Sequence, residues 1–352
     1  MPSRPWSLLL PLLLFGCSDI DGTAAGGPCN SRGICVPGLL CEEGICKAED
    51  DLLWERMNRP IQSDLNAVFG TAPDNVFAVG DSGAILRYQG QGLDWVEVKH
   101  QLTTSELRTI WGEPGRIWAA GVKAILRWDG ASWSNEPVYD LEAKEVTDHY
   151  INGLHGAGGQ VYAVGSRSSD ALLLRYDATG KKWDQVDTVN LSFTPQDIRA
   201  LPNGELFIVG TSLHVKHFDG TSWQEQNLDA AEQVKLNAIW GTSDGTQLYA
   251  VGKPGVLAVY DGKRWSVNSD GRLSFEAHDI AGLSADDLFV VGQSSSYSNP
   301  GGIERCAVYC THNPLPKEAQ GKQISGIWVS QDASVAFAVG DDGTILRRQQ
   351  LR

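Results

Sequence analysis

A glycine-closed apolar tag that returns seven times, a tryptophan series on the same period and a last repeat one strand short together predict an all-β fold. That fold is a seven-bladed β-propeller of four-stranded antiparallel blades, with an N-terminal strand completing the last blade. The tag reads VFAVG to Gly80, IWAAG to Gly121, VYAVG to Gly165, LFIVG to Gly210, LYAVG to Gly252, LFVVG to Gly292 and AFAVG to Gly340, at spacings of 41, 44, 45, 42, 40 and 48 residues. Trp54, Trp95, Trp133, Trp183, Trp223 and Trp265 follow one another at 41, 38, 50, 40 and 42. A unit of that size carries four short strands, and one twisted sheet cannot bury both faces without neighbours.

The chain begins with Arg4 and the apolar stretch WSLLLPLLLFG, too short to span a bilayer and shaped like an export signal over residues 1–16. The stretch Leu14-Phe15-Gly16-Cys17 resembles the bacterial lipobox, which implies acylation of Cys17 and a membrane-anchored lipoprotein of the cell envelope, in the outer membrane. Residues 17–28 then read as a flexible Gly/Ala tether, and DIDG at 19–22 lacks the later ligands of a calcium loop. Of seven cysteines, six remain once Cys17 is set aside, an even number suited to an oxidising compartment. Cys29, Cys35, Cys41 and Cys46 crowd into a segment (29–46) too small for a core, so a disulfide-rich knot is expected with three pairings open. Cys306 and Cys310 lie four apart, and a bond between them requires a tight hairpin at that point.

The propeller is expected over residues 52–352. Each unit opens with a segment such as LNAVFG, LRTIWG, INGLHG or LNAIWG, continues through the tag, adds a third segment such as AILRY or TILRR, and closes on a tryptophan strand. DG and GTS turns separate them. After the seventh tag the chain ends at Arg352 without a tryptophan strand, and DLLWERMNRPIQS around Trp54 supplies the missing piece. Closing the ring in this way removes two exposed edges.

Within this frame most candidate chemistry resolves into structure. Gly80-Asp81-Ser82-Gly83 matches the surroundings of a protease serine, yet the equivalent places read GKPG at 252–255 and GDDG at 340–343, so Ser82 belongs to a turn. His214 and His217 stand three apart on one strand and point to opposite faces, so they cannot share an ion. Trp111, Trp240 and Trp328 recur in the first segment and are read, with the landmark tryptophans, as packing between blades. No metal or cofactor is called for in a core of this size. Acidic residues outnumber basic ones 43 to 29 without a basic block, which excludes a nucleic-acid partner. Recognition is expected instead on the longer polar loops, SRSSDA at 166–171 and QSSSYSNPGG at 293–302, with Arg167, Asp170, Tyr297 and Asn299 as contact residues.

The lipobox, the cysteine cluster and the WG, AVG, G-x-IL, DG and W repeats together resemble a broad group of bacterial exported propeller lipoproteins, over nearly all of the mature chain. That resemblance implies a binding or scaffolding module without an active site, taking a protein or polysaccharide at the cell surface and meeting the membrane through its lipid alone. DDGTIL and DSGAIL are also similar to the first half of the Asp-box of sialidase-type propellers. The alternative they imply is a glycan-acting hydrolase, which needs paired carboxylates; Asp286, Asp287, Asp341 and Asp342 are the adjacent acids available.

Overall fold

The computed structural model describes residues 28–29, 39–42, 44–48, 54–186, 191–211, 214–228, 234–242, 244–267, 273–293, 302–307, 310–313, 315–349 and 351. The signal segment, Cys17 with its tether to residue 27, Cys35, Tyr297 and Asn299 lie outside them. The chain divides into two compact units between Leu52 and Leu53.

The first unit is a hairpin. Leu39–Glu42 pairs antiparallel with Ile45–Ala48, placing Cys41 opposite Cys46. Gly44, at φ +80°, takes the left-handed backbone that this short turn requires. A disulfide joins Cys29 to Cys41 with Cα atoms 5.6 Å apart, and the Cys29 amide donates to the Gly44 carbonyl at 2.9 Å. Cys46 is buried and is also disulfide-bonded.

In the second unit seven sheets follow in chain order, each built on an antiparallel meander. Blade one consists of Leu65–Ala72, Asn75–Gly80, Ile85–Tyr88 and Val96–Glu97. Blade seven consists of Ile324–Val329, Val335–Gly340 and Thr344–Gln349, with Glu55–Arg56 as its outer strand. Glu55 pairs with Arg347 and Arg56 with Leu346, and the Met57 amide donates to the Ile345 carbonyl at 2.9 Å. The ring is therefore closed by the segment around Trp54, and Arg347 reinforces the seam by donating Nε to Glu55 at 2.6 Å.

The composition of the tag follows from where it sits. Second strands are buried on both faces because each is pressed between two neighbouring blades: Val76, Ala78 and Leu86 pack with Phe337 and Val339 of blade seven, whereas Phe77, Val79 and Ile85 pack with Leu107 and Ala119 of blade two. Strand side chains alternate, so a strand with protein on both sides reads as an uninterrupted apolar run. Seven apolar clusters result among the described residues, one per blade interface.

The shared period of tag and tryptophan has the same origin. Trp95 meets Phe337 of the preceding blade edge to face at 5.4 Å, Trp133 meets Phe77 at 5.6 Å, Trp183 meets Trp118 at 6.3 Å and Trp54 meets Phe289 at 6.1 Å. Such pairs contribute about 0.5–1.5 kcal/mol beyond the area they bury. Within their blades Trp133, Trp183 and Trp265 oppose an aromatic residue on the third strand, in the pairs Trp128–Trp133, Tyr176–Trp183 and Tyr260–Trp265. Blade six has no such pair. At the equivalent register Cys306 opposes Cys310, and a disulfide joins them across the tight hairpin.

Blade three carries a further strand. Val138–Tyr139, in the connection from blade two, pairs parallel with Trp183 and Asp184, so this sheet has five strands and its outer edge is covered.

Candidate functional site

The innermost strands surround a channel of about 1290 Å³ that opens towards the turns joining first and second strands. Every first strand contains a bulge near its start, for instance between Leu65 and Ala67, Pro195 and Asp197, and Ala277 and Asp279. The extra residue breaks strict alternation, as a bulge must, and turns a polar side chain inward. Asn66, Asn152 and Asn237 occupy this place in blades one, three and five. Each donates Nδ2 to the first carbonyl of the next blade: Leu107 at 3.0 Å, Pro195 at 2.9 Å and Ala277 at 2.7 Å. In blade two Arg108 fills it, held by both oxygens of Glu106 and donating to Asn152 Oδ1 at 3.1 Å. His278 fills it in blade six, and burial with Lys253 nearby pushes its imidazole down to about 4.

Below that ring lie two carboxylates. Asp197 accepts the amides of Ile198 (2.8 Å) and of Ile239 in the next blade (2.9 Å); Asp279 accepts those of Ile280 (2.8 Å) and of Ile327 in the next blade (2.9 Å). Protein surrounds both groups on every side except the narrow channel. Desolvation therefore pushes Asp197 up to about 7 and Asp279 up to about 6 against the pull of those amides.

Nearer the open mouth stands a collar drawn from one equivalent position per blade: Phe69, Trp111, Trp240 and Trp328, with His155, Arg199 and Ala281 between them. All are half-buried. The tryptophans do pack between blades, as expected from their period, because each indole edge approaches a glycine in the next blade: Trp328 at Gly70, Trp111 at Gly156 and Trp240 at Gly282. A Cβ on Gly156 would lie 2.5 Å from Trp111 Cη2, so the glycine leaves room for the indole of the preceding blade. Packing accounts for only part of each ring, however, and the remainder lines the channel. The aromatic and cationic collar is thus a feature that the packing interpretation missed. Its signal was the residue before the glycine of most first segments, and at Arg199 and Trp328, followed by Ala200 and Val329, that signal is hidden.

The expected contact residues lie elsewhere. Arg167 and Asp170 pair at the end of the hairpin between the second and third strands of blade three, on the face opposite the open mouth. The Arg167 guanidinium is engaged within its own blade by Asp148 (3.1 Å) and Asp140 (3.4 Å). Ser82 adopts φ +59° in a short turn after the tag, as Asp342 does at +52° in blade seven, and neighbouring His100 binds the Gly83 carbonyl at 2.9 Å. The acid pairs do not converge: Asp287 is held by Arg305 at a turn between first and second strands, and Asp342 by Lys322 at a turn between second and third strands, at the other end of its sheet. His214 contacts Asn227, whereas His217 stacks on Phe207 at 4.1 Å and faces Glu205.

The sequence profile of a family described as "DUF6242 beta propeller domain" matches residues 129–280. No curated protein matches the chain in sequence. Among solved structures, the chain is similar to "YCF48 bound to D1 peptide", with a TM-score of 0.63 and 17% identity over 84% of this chain and 94% of that one. It is similar to the WD40 repeats of RRP9, with a TM-score of 0.63 and 12% identity over 85% and 97%. It is also similar to YCF48 from Cyanidioschyzon merolae, with a TM-score of 0.60 and 14% identity over 84% and 98%. At these identities the likeness is one of fold.

Proposed function

We propose that this protein is a binding or scaffolding module, tethered by lipid on Cys17 to the bacterial cell envelope, which takes a protein partner at the open mouth of its channel. The observation that carries the reading is the collar, where four aromatic side chains and one arginine face a channel of about 1290 Å³ instead of filling it. Aromatic surface with a few convergent polar groups is the usual composition of a recognition site. Binding is favoured over glycoside cleavage because Asp197 and Asp279 each tie two main-chain amides together, one of them in the next blade, which gives both acids a structural role between blades. The YCF48 structure named for a D1 peptide adds weight to a peptide over a polysaccharide.

Envelope extracts passed over the immobilised full-length chain test this. The expected result is a protein retained by the wild type and released by Trp111→Ala/Trp240→Ala, with both proteins matched for folding by circular dichroism. Equal retention by the two would remove the channel mouth as the binding surface. Cys17→Ser is expected to shift the protein from the membrane to the soluble fraction, and an unchanged distribution would remove the lipid tether.

A further inference from the structure

One place in the collar is not satisfied by the protein itself. Arg199 carries five N–H donors. Its Nη2 donates to the Gly241 carbonyl at 2.5 Å, its Nε is buried without an acceptor, and its Nη1 lies 2.9 Å from His155 Nε2. No carboxylate of a described residue forms an ion pair with it. The nearby acid two residues back on the strand, Asp197, has both oxygens committed to amides.

His155 cannot accept from Arg199 and from the Ala200 amide at once. Its Nδ1 receives the Ala200 amide at 3.2 Å, and a neutral imidazole carries a proton on one nitrogen only. With Nδ1 accepting, Nε2–H points at Arg199 Nη1–H, donor against donor. The other tautomer relieves that contact and sets Nδ1–H against the Ala200 amide instead. Adding a proton worsens the conflict, and burial next to the guanidinium keeps the ring neutral by holding its pKa well below the usual value. Burial likewise brings Arg199 down to about 10 against the opposing pull of the Asp197 carboxylate, so it remains a cation at neutral pH, with Asp197 as a neighbouring charge but not a hydrogen-bonded partner.

We propose that Arg199 and His155 form a carboxylate site, in which one oxygen of the ligand accepts from both Nη1–H and Nε2–H while the apolar body of the ligand lies against Trp111 and Trp240. An oxyanion at this point resolves the clash of donors and gives the guanidinium a charge-assisted acceptor in one step. Trp111 already flanks His155 at 5.4 Å between ring centres, and Trp240 stands in the blade after Arg199. The rim limits the ligand to a single negative group, because Glu113, Asp244 and Asp332 line the same mouth. This assignment rests on the channel being the binding surface and adds the chemistry it selects.

The test compares N-acetylphenylalanine with its amide by calorimetry on the full chain. Wild type is expected to prefer the acid by about tenfold or more, the size of one charge-assisted hydrogen bond. Arg199→Gln is expected to abolish that preference, Arg199→Lys to keep part of it and His155→Phe to reduce it with the aromatic collar intact. A peptide ending in phenylalanine with a free terminus, compared with N-acetylphenylalanine, separates a chain end from a small organic acid as the source. Failure of wild type to bind either compound, equal binding of acid and amide, or an undiminished preference in either Arg199→Gln or His155→Phe would overturn the site. Should Arg199→Gln not fold, the wild-type comparison and His155→Phe decide. Equal binding of acid and amide, with partner retention still lost in Trp111→Ala/Trp240→Ala, would discard the carboxylate and keep the channel.

Discussion

Replacing Gly165 by alanine tests the packing logic of the whole ring at one atom. A Cβ there would lie 1.8 Å from the Tyr150 carbonyl oxygen, 2.8 Å from its carbon and 2.9 Å from Ile151 Cα. Ordinary contact begins near 3.4 Å, so the first and second strands of blade three would have to part by about 1.6 Å. All three obstacles are backbone, and the second strand has no free space to move into. Gly165 pairs with Ile151 on one side and with Leu172 on the other, and its strand is pressed between blades two and four. Overpacking together with at least one lost ladder bond gives an expected loss of ~3–5 kcal/mol. Gly159→Ala is the matched control: its φ is +78° and nothing lies within 4 Å, so only backbone strain of ~1–2 kcal/mol applies. Urea unfolding followed by tryptophan fluorescence reads both, with the slope checked for two-state behaviour. Gly165→Ala within about 1 kcal/mol of wild type, or no worse than Gly159→Ala, would refute close strand approach as the reason for the tag glycine.

Three further outcomes are expected. Trp54→Ala, which removes a side chain 2% exposed and packed edge-on against Phe289, should cost ~3–5 kcal/mol by opening the closure seam, and Trp54→Phe markedly less. Asp197 and Asp279 hold their protons more tightly folded than unfolded, with values of about 7 and about 6 against an ordinary 3.8. Stability should therefore fall as pH rises from about 4 to about 7 and then level off, by an amount of the order of 3 kcal/mol for Asp197. Urea midpoints of wild type and Asp197→Asn at pH 4.5 and 7.5 measure it, the variant showing the flatter dependence. Removing the Cys306–Cys310 bond by the double serine variant should cost about 2 kcal/mol, the loop-closure term for so short a ring, read as a lower urea midpoint than oxidised wild type.

Much of the ring was legible because its signals are local and repeated. The tag glycines share one cause, a carbonyl at the entry to the first strand too close for any Cβ: 2.0 Å at Gly80, 2.1 Å at Gly121 and 1.8 Å at Gly252. Four of the landmark tryptophans, Trp54, Trp95, Trp133 and Trp183, share another, an edge-on contact with an aromatic side chain of the preceding blade. Where one physical requirement returns every forty-odd residues, counting along the chain reaches the architecture. The departures were harder to see, because neither the disulfide that stands for an aromatic pair in blade six nor the parallel fifth strand of blade three repeats.

By itself, then, the sequence determined the number of blades, the glycine and aromatic landmarks within them and the strand that closes the circle, since each follows from strand alternation and close approach within a single repeat. Only the tertiary structure decided what the channel contains. His155 and Arg199 are 44 residues apart, and Asp197 reaches an amide 42 residues on. A bulge in every first strand, which shifts alternation by one residue, sets which side chains turn inward. Residues that meet around the axis come from different blades, and the order in which their donors and acceptors face one another exists only once the ring is shut.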